Sequence, residues 1–194
     1  MDRLSGMAGT AIQPERGFKR RVLRFSHGVD GVVAVVCQIM IVFTTVVLLA
    51  LLGVNVAVRY IFSEGGIAWI SEVPAQLFPW LIAAGIVMAT LRGGHIAVDF
   101  AFSILGERAA QCLAVAIQAL LVAAYAALFI VAGDVAEIVA IERSPLLNIS
   151  GSWGYYALMF ASAGVALCSL NILVRILLEG RAGLPQAGSE ESPI

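Results

Sequence analysis

Charge is scarce in this sequence. Asp, Glu, Lys and Arg make up 13% of its 194 residues, about half the ~25% of a soluble globular domain. That level, beside 60% hydrophobic residues and a mean hydropathy of +0.94, excludes an ordinary soluble protein and indicates a membrane one. A surplus of either sign is also missing: the formal net charge is -1, so bulk charge suggests no nucleic-acid partner. Cysteine is rare. Cys37, Cys112 and Cys168 all fall inside apolar runs and none forms a CxxC, which removes a zinc knuckle or a thioredoxin-type motif and leaves small packing residues. Histidine is limited to His27 and His95, too few for a metal or haem site without further ligands. No polar stretch is long enough to fold a soluble domain, and no convincing internal repeat occurs.

Long apolar runs are what the sequence does have. A span needs about 20 mostly apolar residues, and four segments qualify, at about 29–58, 71–91, 109–141 and 154–178. The expected fold is therefore an all-α integral membrane protein of four transmembrane helices. Residues 1–28 form a basic N-terminal segment, 29–178 the membrane domain, and 179–194 a tail without apolar periodicity that should be disordered. The apolar run from Gly31 to Val54 exceeds the ~7–15 residues of a signal-peptide core, so it reads as a retained first span. Basic residues set the orientation. Arg3, Arg16, Lys19, Arg20, Arg21 and Arg24 precede the first span, Arg92 and Arg108 lie between the second and third, and Arg175 and Arg181 follow the fourth. Only Arg59 and Arg143 fall on the other side. Both termini should be cytoplasmic.

The central parts of the spans carry no Asp, Glu, Lys, Arg or His; their polar members are Gln38, Thr44, Thr45, Gln118, Tyr125, Ser162, Ser169 and Asn171. Ionisable residues at membrane depth usually mark ion or substrate pathways, so a proton relay or charged-substrate pore built from this chain alone is not expected. Hydroxyls and amides of this kind commonly bond between helices. In the third span Ala116, Ala119, Ala123, Ala126 and Gly133 extend a stripe from Cys112 at three-four spacing, with Ile130 the one large member. Small residues on one stripe let backbones approach closely; packing within the chain is the first reading and contact with a partner subunit the second. Ala157, Ala161, Gly164 and Cys168 repeat the pattern in the fourth span.

Three loops join the spans. In "RGGHIAVDF", Arg92 ends the second span, and Gly93 and Gly94 suit a helix stop. His95, Asp99, Ser103 and Glu107 then recur every four residues among apolar ones, which predicts a short interfacial helix between spans two and three. A His95–Asp99 pair that fixes the turn or meets a partner fits better than a metal site. In "NVAVRYIFSEGGIAWISEVPAQLFPW", Asn55, Arg59 and Tyr60 close the first span, Gly65 and Gly66 make the turn, and Trp69 and Trp80 suit an interface. Ser71 is placed to cap the second helix, Glu72 falls in its first turn, and Pro79 should bend it. Arg59 and Glu72 either pair across this hairpin or stay solvated separately. The loop "ERSPLLNISGSWGYY" is punctuated by Pro145 and Gly151, with Trp153, Tyr155 and Tyr156 anchoring the fourth span.

These segments, in this order, resemble the small DctQ-type membrane subunit of tripartite ATP-independent periplasmic (TRAP) transporters. "NVAVRYIF", "WISEVPAQLFPW", "RGGHIAVDF" and "SPLLNIS…W" carry the resemblance, which covers about residues 30–178. One departure is visible: the family often has W-x-E-E, whereas Glu72 is followed by Val73, so a role for a second carboxylate does not carry over. The resemblance implies a non-enzymatic subunit of the bacterial inner membrane, without cofactor or metal, in a sodium-driven system for uptake of C4-dicarboxylate-like or other organic acids. The partners it implies are a large TRAP permease subunit, which the small one scaffolds, and a periplasmic substrate-binding protein, which it helps to dock; membrane lipid surrounds both. Asn55, Arg59, Tyr60, Trp69, Glu72, Trp80, Arg92, Gly93, His95 and Asp99 are the candidate interface or motif residues. A four-helix membrane redox protein, quinone- or haem-linked, is the alternative reading; it would need paired loop cysteines or facing core histidines.

Overall fold

The computed structural model describes residues 14–61, 67–92 and 107–179. Four long helices account for most of them: α1 (Pro14–Ile61), α2 (Val73–Leu91), α3 (Glu107–Ile138) and α4 (Ser152–Glu179). Short 3-10 turns at Ala68–Ser71 and Val139–Ile141 lead into α2 and out of α3. The only β pairing among the described residues is an isolated bridge between Arg143 and Ser150. Stretches long and apolar enough to cross a membrane run Ser26–Ile61, Ala68–Leu91, Arg108–Ile141 and Ser152–Leu178. The protein is thus an all-α, four-span membrane protein. Its 48-residue α1 would reach about 70 Å at ~1.5 Å per residue. That is more than twice a ~30 Å hydrocarbon layer, so the helix starts within the basic segment, well before the span.

Small residues decide how the helices pack. α4 buries Ala157, Ala161, Val165, Cys168, Ile172 and Ile176, a three-four series on one face. Ala83, Ala84 and Val87 of α2 and Cys37 of α1 meet its middle, and Ala114 of α3 meets its end. A Cβ on Gly164 would stand 2.6 Å from Val87 Cγ2, so α2 and α4 approach this closely only because position 164 has no side chain. Much of α1 remains uncovered within the chain: Val32, Val35, Ile39, Val42, Phe43, Val46 and Leu49 are all exposed. Exposed apolar side chains on a spanning helix are the normal condition in lipid.

The small-residue stripe of α3 is oriented differently from the first expectation. Ala116, Ala119, Ala123 and Ala126 are exposed, as is Cys112; Gly133 alone lies against a neighbouring helix, beside Met159. The chain instead buries Ala110, Ala114, Gln118, Ala132 and Ala136. α3 is alanine-rich on two faces, and spacing alone does not distinguish the face that meets α4 from the one that faces outward. The capping of α2 also differs. Glu72 occupies the cap position without a side-chain cap bond, and the Ser71 hydroxyl donates to the Ala68 carbonyl within its own 3-10 turn. The proposed interfacial helix, with Gly93, His95 and Asp99, and the polar tail lie outside the described residues.

Candidate functional site

Antiparallel packing gives the bundle two ends, and each carries a polar cluster. At the end formed by the C-terminus of α1 and the N-termini of α2 and α4, Glu72 is the organising residue. Its Oε2 accepts from the Ser144 hydroxyl at 3.2 Å and from the backbone N–H groups of Leu146 and Leu147 at 3.0 and 2.8 Å. Two successive N–H groups aimed at one carboxylate oxygen form a small anion-binding nest. The loop that supplies them is held by its own bonds: Asn148 N–H donates to Ser144 O, Ser144 N–H to Ile149 O, and Gly151 N–H to Glu142 O. Asn148 has φ +54°, a left-handed conformation that asparagine tolerates better than most residues. At Gly151 a Cβ would lie 2.9 Å from the Val139 carbonyl, which explains the glycine. Glu72 therefore ties the start of α2 to the α3–α4 connection.

Asn55 and the tryptophans complete this end. Asn55 Oδ1 accepts from Ile67 N–H at 2.8 Å and so fastens α1 to the entry of the 3-10 turn. Trp80 and Trp153 meet with ring centroids 5.1 Å apart, and the Phe160 ring lies 6.2 Å from that of Trp80. Trp153 Nε1 donates to the Gln76 carbonyl at 3.0 Å, one residue from the Ala75 carbonyl, whose helical partner is lost because Pro79 has no N–H. Tyr60, Trp69, Trp153 and Tyr156 are exposed, a ring of amphipathic side chains suited to a membrane interface. Arg59 is exposed and forms no pair with Glu72, whose carboxylate is engaged by the loop.

The opposite end holds the residues that sequence reasoning missed. Arg175 of α4 forms an ion pair with Asp30 of α1, the one salt bridge among the described residues, with side chains only 11% and 20% exposed. Arg175 Nε also donates to the Ser26 hydroxyl at 3.0 Å, and Asn171 Nδ2 donates to Asp30 Oδ1 at 2.9 Å. Four polar side chains thus close on one another between two otherwise apolar helices. The available signal was positional: an acid at the start of the first span and a base at the end of the fourth fall on the same side of a four-helix up-down bundle. Nearby, Gln111 Nε2 donates to the Ile176 carbonyl at 3.3 Å and ties α3 to the same end. Arg92 caps α2 through its backbone N–H, bonded to Met88 O at 3.1 Å, and its side chain points outward.

Neither cluster is arranged for catalysis. Among the described residues no three His, Cys, Asp or Glu side chains come together to hold a metal. Cys37 and Cys168 are free thiols in the core, and Cys112 is a free thiol on the exposed face of α3. Glu72, Asp30 and Arg175 are spent on joining helices. A family model, "Tripartite ATP-independent periplasmic transporters, DctQ component", matches residues 48–179. The chain belongs to this family. A DctQ-type protein is a component of a transporter and not an enzyme, which accounts for two polar clusters that fasten helices and present no reactive group. A relative from Sinorhizobium fredii (strain NBRC 101917 / NGR234), named uncharacterized protein y4mM, is 36% identical over 140 residues, which are 72% of this chain and 26% of that protein. The DctQ-type chain therefore spans about a quarter of the length of that relative. Within the family match, α1 contributes only residues 48–61, so the Asp30 side of the ion pair lies outside the matched residues and the Arg175 side inside them.

Proposed function

We propose that this DctQ-type chain is the small subunit of a sodium-driven TRAP transporter for organic acids, set in the bacterial inner membrane with both termini in the cytoplasm. It scaffolds the large permease subunit and helps to dock the periplasmic binding protein. The observation that carries the reading is the state of the charges. Residues 31–58, 73–91, 109–133 and 154–174 contain no Asp, Glu, Lys, Arg or His, and the one ion pair among the described residues joins α1 to α4. A chain so built has nothing at membrane depth to compensate a carboxylate substrate, so passage of the acid belongs to a partner. The relative's length is consistent with this division of labour: about three quarters of it lies outside the match, so in that protein a DctQ-like part and a much longer part share one polypeptide. On the outer side, the Glu72-bound loop and the exposed aromatic ring form a rigid surface suited to meeting a periplasmic partner. His95 and Asp99 serve assembly in this reading, not metal binding.

Topology and assembly test the proposal together. In a background with the three cysteines changed to serine, Glu64→Cys should react with a membrane-impermeant maleimide in intact cells. Thr10→Cys and Gly188→Cys should react only after permeabilisation. An affinity-tagged chain should bring down the large permease subunit encoded with it. Labelling of Thr10→Cys from outside, or purification of the tagged chain without any permease, contradicts the reading.

A further inference from the structure

We propose that α1 carries a binding site for one anionic phospholipid, with the headgroup at Arg24 and an acyl chain lying in a slot between α1, α2 and α4. The slot has a volume of about 240 Å3 and is lined wholly by apolar residues, among them Val32, Val36 and Cys37 of α1, Val87 of α2, and Phe160 and Leu167 of α4. An apolar cavity of this kind stays free of water and takes up apolar molecules. The apolar surface extends beyond it. Val32 and Val33 also line a second, more open groove that continues along α1 past Val29 and Gly28 to Arg24. The space beside Gly28 is open, since a Cβ there would meet nothing within 4 Å.

Length and charge select the occupant. From Arg24 to Cys37 the helix rises about 20 Å at ~1.5 Å per residue, and half of a ~30 Å hydrocarbon layer is about 15 Å. A lipid whose glycerol sits near the Arg24 level thus places its acyl chain along the slot and its phosphate beside a guanidinium. Arg16, Lys19, Arg20 and Arg21 precede Arg24 in the same helix. A cluster of four to eight basic residues next to a span is the arrangement that attracts anionic lipid headgroups. The Asp30–Arg175 pair fastens this stretch of α1 to α4. A slot open to the bilayer, apolar throughout its depth and cationic at its mouth matches a two-part ligand that is itself apolar below and anionic above.

The test uses the full chain, purified in detergent, delipidated, and titrated with phosphatidylglycerol or with phosphatidylcholine of the same acyl chains; retained lipid is counted by native mass spectrometry. The expected result is one retained phosphatidylglycerol per chain and weaker retention of phosphatidylcholine. Arg24→Gln should reduce that preference about fivefold, the share of one basic residue at an anionic surface. Ala163→Phe places a ring in the slot from an exposed position on its wall. It should weaken retention of both lipids together by about tenfold, equivalent to losing about two buried methylenes. Gly28→Leu, a site with open space around its Cβ, obstructs the mouth and should act in the same sense; far-ultraviolet circular dichroism checks that each variant keeps its helices. Equal retention of the two lipids by the unmodified chain overturns the proposal. So does lipid retention that survives both slot-filling changes while assembly with the large permease is lost, because a protein segment would then be what fills the slot.

Discussion

Glu72 shows how one side chain fixes two connections. It sits at the start of α2 and receives three hydrogen bonds from the α3–α4 loop, so removing it leaves two adjacent N–H groups without their acceptor. The site is partly open to water, which places the cost near the low end of the ~1–3 kcal/mol for an orphaned donor. Glu72→Ala should therefore lower the stability of the purified chain by about 1–2 kcal/mol, read as a fall in Tm, and Glu72→Gln, which retains one carbonyl acceptor, by less. Arg59→Ala should leave Tm unchanged; a loss as large as that of Glu72→Ala would show that the two residues act as a pair after all. The ion pair at the other end carries a larger stake because it is more enclosed. Breaking a buried pair from one side costs ~3–5 kcal/mol, whereas replacing both partners is often nearly neutral. Arg175→Gln or Asp30→Asn alone should destabilise by about 3 kcal/mol, and the double variant should recover most of that loss. Strictly additive losses in chemical denaturation would mean that the two side chains are not energetically coupled.

At the scale of the element, α3 is the helix with surface to spare. Its inner face is occupied by α4, through Ala114 against Ile172 and Ile176, and its second alanine series at 116, 119, 123 and 126 faces outward. Large changes on that outer series meet no atom of the chain's own core. Ala119→Trp with Ala123→Phe should leave the stability of the isolated chain within ~0.5 kcal/mol of the unmodified value, the usual limit for substitutions away from packed features. If the series meets the large permease, as small-residue stripes in membranes commonly meet another helix, the same double variant should no longer copurify with it. Full recovery of the complex would assign the stripe to lipid. The helices themselves were legible in the sequence because apolar runs of this length have one use in a bilayer, and the face of α4 was legible because Ala157, Ala161, Gly164 and Cys168 stand on one stripe. α3 was ambiguous for the opposite reason: Ala110, Ala114, Ala132 and Ala136 on one side, and Ala116 to Ala126 on another, satisfy the same spacing. The polar contacts were the least legible. Glu72 and Ser144 lie 72 residues apart, and Arg175 and Asp30 145 apart, and no local pattern announces a partner at such separations. Composition still set the class of protein, since a chain with uncharged span centres leaves few functions open to it.

Taken whole, the molecule is a bundle whose two polar clusters hold its helices together, and this bears directly on whether it moves anything by itself. A carboxylate crossing a bilayer must exchange its water for compensating charge or for well-placed dipoles, since a bare charge at the centre costs about 2.5–3.5 kcal/mol on the more lenient scales and far more on others. Carriers meet that demand with broken helices whose half-helix ends point at a midplane site. Here α1, α3 and α4 run unbroken through their spans, and the one internal proline, Pro79 in α2, lies near an end and is supported by Trp153 and Gly154. Buried polar groups near the middle, Gln118 and Ser169, are single side chains without charge. The experiment is reconstitution into liposomes with and without an imposed sodium gradient, using a panel of labelled organic acids. The chain alone, the chain with its large permease, and both with the binding protein should be compared at equal protein. Uptake above the protein-free background is expected only for the complete set, and it should vanish without the sodium gradient. Removing the small subunit from that set should lower uptake by at least about tenfold, which corresponds to only ~1.4 kcal/mol of lost organisation in the partner. Sodium-dependent uptake by the small chain alone would place the pathway within these four helices and would require a rearrangement that breaks at least one of them.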